Sequence, residues 1–211
     1  MRMKLLWCYA LISPIIFTLV VFILGFISPG YDHLRNTISE LILGEYGFVQ
    51  KMNFIQFGLG FVLSGYLLPQ FVSKKRSKRI WMILFWLCAL FSFTISIFQT
   101  DKMDQFSKMN FSVSGKIHFG ALILSFLLAP FGVHALKNSL KNELVLSKYT
   151  NFTGQMGYTL CILCHIWTFL FLGGYLVSYL GIFQKIIVII SVYWLVTILW
   201  AIHPADTRND H

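Results

Sequence analysis

Six long apolar runs separated by short polar stretches dominate the chain, at residues 5–27, 52–72, 80–100, 116–136, 155–180 and 182–202. At 1.5 Å per residue each is long enough to cross a hydrocarbon layer of about 30 Å as a helix. Ser13-Pro14 should kink the first run, and Pro130 can kink the fourth, which lipid-embedded helices tolerate when neighbours re-satisfy the freed carbonyl. Gly58, Gly60, Ser64 and Gly65 form a stripe of small residues suited to close helix packing. One stretch breaks the pattern. Over residues 31–43, Leu34, Ile38, Leu41 and Ile42 recur at helical spacing, while Asp32, Arg35, Asn36, Ser39 and Glu40 occupy the other faces. It is too polar to span and predicts a short amphipathic helix lying at the extracytoplasmic interface. The expected fold class is therefore all-α: a polytopic membrane protein with a bundle of six transmembrane helices plus that interfacial helix. A single domain over 1–211 with no internal repeat is expected, Gly181 separating the fifth run from the sixth.

Composition agrees, with 57% hydrophobic and 12% charged residues and a mean hydropathy of +0.71. Soluble domains are nearer a quarter charged. The net charge of +9 does not imply nucleic acid, because the cations sit in short loops between apolar runs rather than on one basic face. The 74–79 stretch, Lys-Lys-Arg-Ser-Lys-Arg, is the densest of these and reads as a cytoplasmic turn. With both termini cytoplasmic, eleven basic residues fall inside and six outside (Arg35, Lys51, Lys102, Lys108, Lys116 and Lys185), together the seventeen of the chain. That bias sets the expected orientation. The first run is too long for a signal-peptide core and has no Ala-x-Ala-like site after it, so it is expected to stay as a helix. Cys8, Cys88, Cys161 and Cys164 all lie inside apolar runs, so they carry no message about redox compartment.

This topology brings the 29–51 and 101–118 loops to one face. Asp101 closes the third run in Phe98-Gln99-Thr100-Asp101, and His118 opens the fourth in Gly115-Lys116-Ile117-His118. With Ser39 they supply a hydroxyl, an imidazole and a carboxylate, the inventory for nucleophilic or general acid–base chemistry. Ser39, Asp101 and His118 are thus the candidate catalytic residues, with Tyr31, Asp32, His33, Arg35 and Glu40 as candidate binding residues. Asp101 and His118 could instead hold a divalent metal. Polar helix ends on a membrane protein also serve as caps and anchors, so the inventory alone fixes no reaction. The readings to separate are an enzyme acting on a lipid-like substrate, a non-enzymatic module binding a lipid or a partner, and a haem protein.

The same residues resemble a known family. Ser28-Pro29-Gly30-Tyr31 through Ile38-Ser39-Glu40-Leu41, then Phe98-Gln99-Thr100-Asp101, then Gly115-Lys116-Ile117-His118, are similar in order and spacing to the bacterial and archaeal six-span proteins grouped as domain of unknown function nine-nine-eight. The resemblance runs from the first span to the sixth. It implies the fold and a prokaryotic cell membrane, adds weight to Tyr31, Ser39, Glu40, Asp101 and His118, and implies no reaction. One departure is Gln99, where that family often has proline.

Cys161-Ile162-Leu163-Cys164-His165 has the spacing of covalent haem attachment, but it lies inside an apolar helix with no loop to wrap a haem. His118, His134, His165 and His203 lie in or at the ends of runs four to six. His118 and His134 are 16 residues apart, about 24 Å along a helix. His134 and His203 match in depth near the inner face, whereas His118 has no histidine partner at its own depth. That spacing weighs against haem and towards helix-packing hydrogen bonds. Asn110-Phe111-Ser112 is a glycosylation sequon, relevant only in a eukaryotic secretory pathway.

Overall fold

The computed structural model describes residues 2–102, 111–141, 143 and 146–203, and every regular element in it is helical. Asp104, Lys108, the sequon residue Asn110 and the tail 204–211 lie outside the described residues. The long helices are α1 (Arg2–Ile27), α2 (Gly47–Leu67), α3 (Lys75–Ile97), α4 (Val113–Leu140), α5 (Thr150–Leu172) and α6 (Leu180–Ala201). All six are long and apolar enough to cross a membrane. Each packs on the next, and α6 returns to α1, which closes them into a ring. The start of α1 and the end of α6 share one end of it: Trp7 donates from Nε1 to the Leu199 carbonyl at 2.7 Å and meets the His203 ring edge-on, 4.5 Å between centroids. The loop after α1 fills the opposite end, here called the plug end.

The small-residue stripe serves two neighbours. Gly60 leaves room for Ser13 of α1, while Gly58 and Gly65 leave room for Phe93 and Trp86 of α3. Between helices in lipid, such close approach is what association rests on, since lipid tails are as apolar as leucine. Buried side chains form two clusters. One, at the plug end, centres on Phe17, Val21, Leu122 and Trp167; the other, at the terminal end, on Trp7, Trp81, Leu140 and Leu199.

Several boundaries differ from the sequence reading. The basic 74–79 stretch is no turn, because α3 begins at Lys75 and its first turns carry these charges. The fifth span stops at Leu172 rather than 180. Gly173 and Gly174 end it, Gly174 taking φ +67°, a conformation glycine adopts freely. Gly181 does not break the chain but sits in the first turn of α6, because it meets the plug. The helical part of 31–43 shrinks to one 3-10 stretch, Ile38–Leu43, and it does not lie on a surface. Ile38, Ser39, Leu41 and Ile42 are all under 5% exposed and pack among the helices, while Leu34 stays outside at 48%.

Candidate functional site

The plug is fastened by α6. Lys185, 1% exposed, donates from Nζ to the carbonyls of His33 at 3.0 Å, Asn36 at 2.8 Å and its own helix's Gly181 at 3.3 Å. Its ammonium also lies 5.1 Å from the Tyr31 ring centre, a cation–π distance. One turn of α6 adds two more bonds: Ile182 N–H to Leu34 carbonyl at 3.0 Å, and Ile38 N–H to Gln184 Oε1 at 2.8 Å. A buried loop must satisfy its own backbone, and here a lysine, an amide and a helix N–H do so. A Cβ at Gly181 would run into the Asn36 carbonyl.

Inside the plug the polar side chains hold one another. Glu40 turns back to accept from Thr37 N–H at 2.7 Å, from Thr37 Oγ1 at 3.1 Å and from Asn36 Nδ2 at 3.2 Å. Asp32 accepts from Leu34 N–H at 2.8 Å. The Tyr31 hydroxyl bonds to the carbonyls of Asn36 and Thr37, both at 3.1 Å. Burial, then Glu40 and Asp32, raise the Tyr31 pKa, so the phenol remains a donor. His33 lies over Gly25 with Phe26, Tyr31 and Phe22 around it, at 4.6, 5.4 and 5.8 Å between ring centroids. Both its ring nitrogens are buried without a hydrogen-bond partner among the described residues. Burial, and then the nearby Lys185 charge, hold its pKa below the ordinary value, with Asp32 acting the other way. Arg35 is exposed.

Beneath the plug lies the lumen of the ring, a cavity of about 190 Å³ walled by all six helices. Its wall runs along α4 from His118 to Leu136, about 27 Å of helix, past Phe126, Pro130 and Val133. Plug residues Ile38 and Ser39 line one end. The serines of the wall are already bonded to carbonyls: Ser92 to Phe54 at 2.8 Å, Ser125 to Leu122 at 2.7 Å, Ser191 to Ile187 at 2.8 Å. The plug end differs. His118 is 0% exposed; its Nδ1 is 2.7 Å from the Phe98 carbonyl, and its Nε2 is buried with no hydrogen-bond partner among the described residues, although the Ile95 carbonyl is also near the ring. Gln184 uses its oxygen on Ile38 and makes no hydrogen bond through its NH2 among the described residues. Among the described residues the Ser39 hydroxyl hydrogen-bonds to that of Thr37, at 3.3 Å. The lumen is thus apolar for most of its length and has hydrogen-bonding capacity at one end.

The model for the family described as Protein of unknown function (DUF998) matches residues 11–201. The chain belongs to that family. The match starts inside α1 and ends on the last residue of α6, so it takes in part or all of each of the six helices, and this DUF998 chain is an integral membrane protein. Neither a curated protein nor a solved structure matches it.

In this DUF998 protein the candidate residues other than the exposed Arg35 divide into three groups. Ser39 and His118 share the plug end of the lumen without a hydrogen bond between them. Tyr31, Asp32, His33 and Glu40 build the plug. Asp101 joins neither group directly: its Oδ2 accepts from Ser112 N–H at 2.9 Å and fills the space beside Gly115, so it closes the start of α4. Its charge still acts on His118. The Gln99 carbonyl accepts from the Ser114 hydroxyl at 2.9 Å, and a proline at 99 would offer the same carbonyl. Among the described residues no three His, Cys, Asp or Glu come together as a metal-ligand group. His165 bonds back to the Cys161 carbonyl at 2.6 Å and is exposed, as is His134, while His203 packs on Trp7 and Trp200.

Sequence reasoning missed Lys185 and Gln184. Lys185 was expected among the outer charges, yet it is buried against the plug. The signal was available: an ionisable residue inside an apolar run has a partner in the bundle or a function.

Proposed function

We propose that this DUF998 protein binds a single-chain amphiphile in its lumen, with the chain along the apolar wall and a small polar head at Ser39, His118 and Gln184. The observation that carries this reading is the contrast within one cavity: the wall serines are hydrogen-bonded to carbonyls, whereas the His118 Nε2 is buried and unpaired. Such a nitrogen costs free energy until a donor reaches it. An apolar cavity with a few convergent polar groups is the usual form of a ligand site. The plug closes the lumen at the face we assign to the outside from the basic-residue asymmetry. A prokaryotic cell membrane, with lipids as the partner class, fits this reading.

A hydrolytic role is the second reading, favoured because Ser39 and His118 line the same cavity end. Binding without chemistry is preferred, since the Ser39 hydroxyl is hydrogen-bonded to the Thr37 hydroxyl and Asp101 serves the α4 terminus. The test is photolabelling in nanodiscs with stearyl alcohol carrying a mid-chain diazirine, followed by mapping of the adducts. Adducts on lumen residues such as Ser125, Val133 and Val188, lost when Ala129→Trp fills the lumen, support the reading. Labelling confined to lipid-facing positions such as Leu90 and Phe169 contradicts it. Covalent capture of Ser39 by a fluorophosphonate would favour the hydrolase.

A further inference from the structure

We infer that the head bound in the lumen is an uncharged hydroxyl, with His118 Nε2 as the acceptor that selects it. This rests on the lumen being the ligand site. A carbonyl oxygen only accepts, so the 2.7 Å contact from Nδ1 to the Phe98 carbonyl places the ring proton on Nδ1. In the neutral imidazole Nε2 then carries a lone pair. Gln184 presents the opposite polarity, because its oxygen is taken by Ile38 N–H and its NH2 is left as a donor. The plug end of the lumen is therefore bounded by one fixed acceptor, His118 Nε2, which has no open surface and is met only as the lining side chains give way, by one fixed donor, and by the adaptable Ser39 hydroxyl. A ligand hydroxyl, itself donor and acceptor, answers both fixed groups at once.

Charged heads do not fit this set. No Lys, Arg, Asp or Glu lines the lumen among the described residues. An ion there would lose its water without meeting a counter-charge. Lys185, the cation buried against the plug, is committed to three carbonyls of the plug and of α6 and is not part of the wall. A carboxylate or sulfate is acceptor-only and would set its lone pairs against that of Nε2. A quaternary ammonium offers no donor to Nε2 and no acceptor to Gln184. An ether can accept from Gln184 but leaves Nε2 unpaired. The selective feature is the O–H.

The test is competition against the photoreactive stearyl alcohol in nanodiscs, reading the adducts on lumen residues. Four competitors share one chain: stearyl alcohol, its methyl ether, stearyl sulfate and stearyltrimethylammonium. In the wild type the alcohol should protect the lumen at roughly tenfold lower concentration than the ether, the size of one hydrogen bond to a buried acceptor, and both ions should protect less well than the alcohol. In His118→Phe, which keeps a ring and removes the acceptor, alcohol and ether should compete equally. Equal or better protection by the ether or by either ion in the wild type would overturn the hydroxyl inference and leave the lumen site standing. A wild type without lumen adducts would overturn the lumen reading itself. The wild-type series needs no variant, so a His118→Phe protein that fails to fold leaves the test intact.

Discussion

The ammonium of Lys185 lies 2.8 Å from the carbonyl oxygen of Asn36, a contact between the last span and a loop 149 residues earlier in the chain. It explains how a polar segment comes to be buried at the mouth of an apolar ring. The plug could not enter while its carbonyls remained unpaired, and α6 carries the donors that pair them. A plug so placed lines one end of the lumen and puts Ser39 in the same cavity as His118.

Lys185→Met keeps the length and apolar stem of the side chain and removes the donors. The His33 carbonyl then has no replacement partner, and the loss is about 2 kcal/mol, the scale of a buried unsatisfied group. Amide exchange over residues 33–40 should rise while protection in the core of α2 and α5 stays unchanged. Unchanged exchange in the plug would mean that Lys185 does not fasten it.

Two glycines give opposite expectations for one substitution. At Gly120 a Cβ meets nothing within 4 Å, so Gly120→Ala should stabilise by about 0.5–1 kcal/mol through helix propensity alone. At Gly181, also helical, the Cβ runs into the Asn36 carbonyl, so Gly181→Ala should destabilise and raise proteolysis of the plug. Thermal unfolding in detergent gives both signs. A stabilised Gly181→Ala protein would show that α6 and the plug are not in contact.

His33 supplies a pH dependence. Its folded pKa lies below the ordinary 6.5, through burial and then Lys185, with Asp32 opposing; Tyr31 is the other titratable group against the ring. The unfolded chain therefore binds the proton more readily than the native one. Stability is fully present above about pH 6.5 and falls with pH until the folded pKa is passed. The unfolding temperature should drop between pH 7.5 and 5, by a smaller amount in His33→Phe. An NMR titration of the ring should give a midpoint below 6.5; a midpoint above it would contradict the assignment.

The fold was readable because six apolar runs of spanning length admit few alternatives. The plug was readable only in part. The periodicity of Leu34, Ile38, Leu41 and Ile42 carries no information about whether the apolar face meets lipid or protein. Only the α6 donors decide that, and they lie about 150 residues away in sequence. Ser39 and His118 were legible as polar residues near one face, and their shared cavity follows from ring closure between α1 and α6. Asp101 illustrates the opposite case: a carboxylate at a span end has a capping use that spacing cannot distinguish from chemistry.

Orientation is open to a direct check. In a background with the native cysteines replaced by serine, Lys102→Cys should react with an impermeant thiol reagent in intact cells, and Lys75→Cys only after the membrane is opened. The reverse pattern would put the plug at the cytoplasmic face.

The occupant of the lumen is most directly read by native mass spectrometry of the protein released from nanodiscs containing stearyl alcohol. Wild type should retain one bound alcohol at activation energies that strip annular lipid, and Ala129→Trp, with its lumen filled, should retain none. Equal retention by the two proteins, or none by the wild type, would contradict an amphiphile-binding lumen.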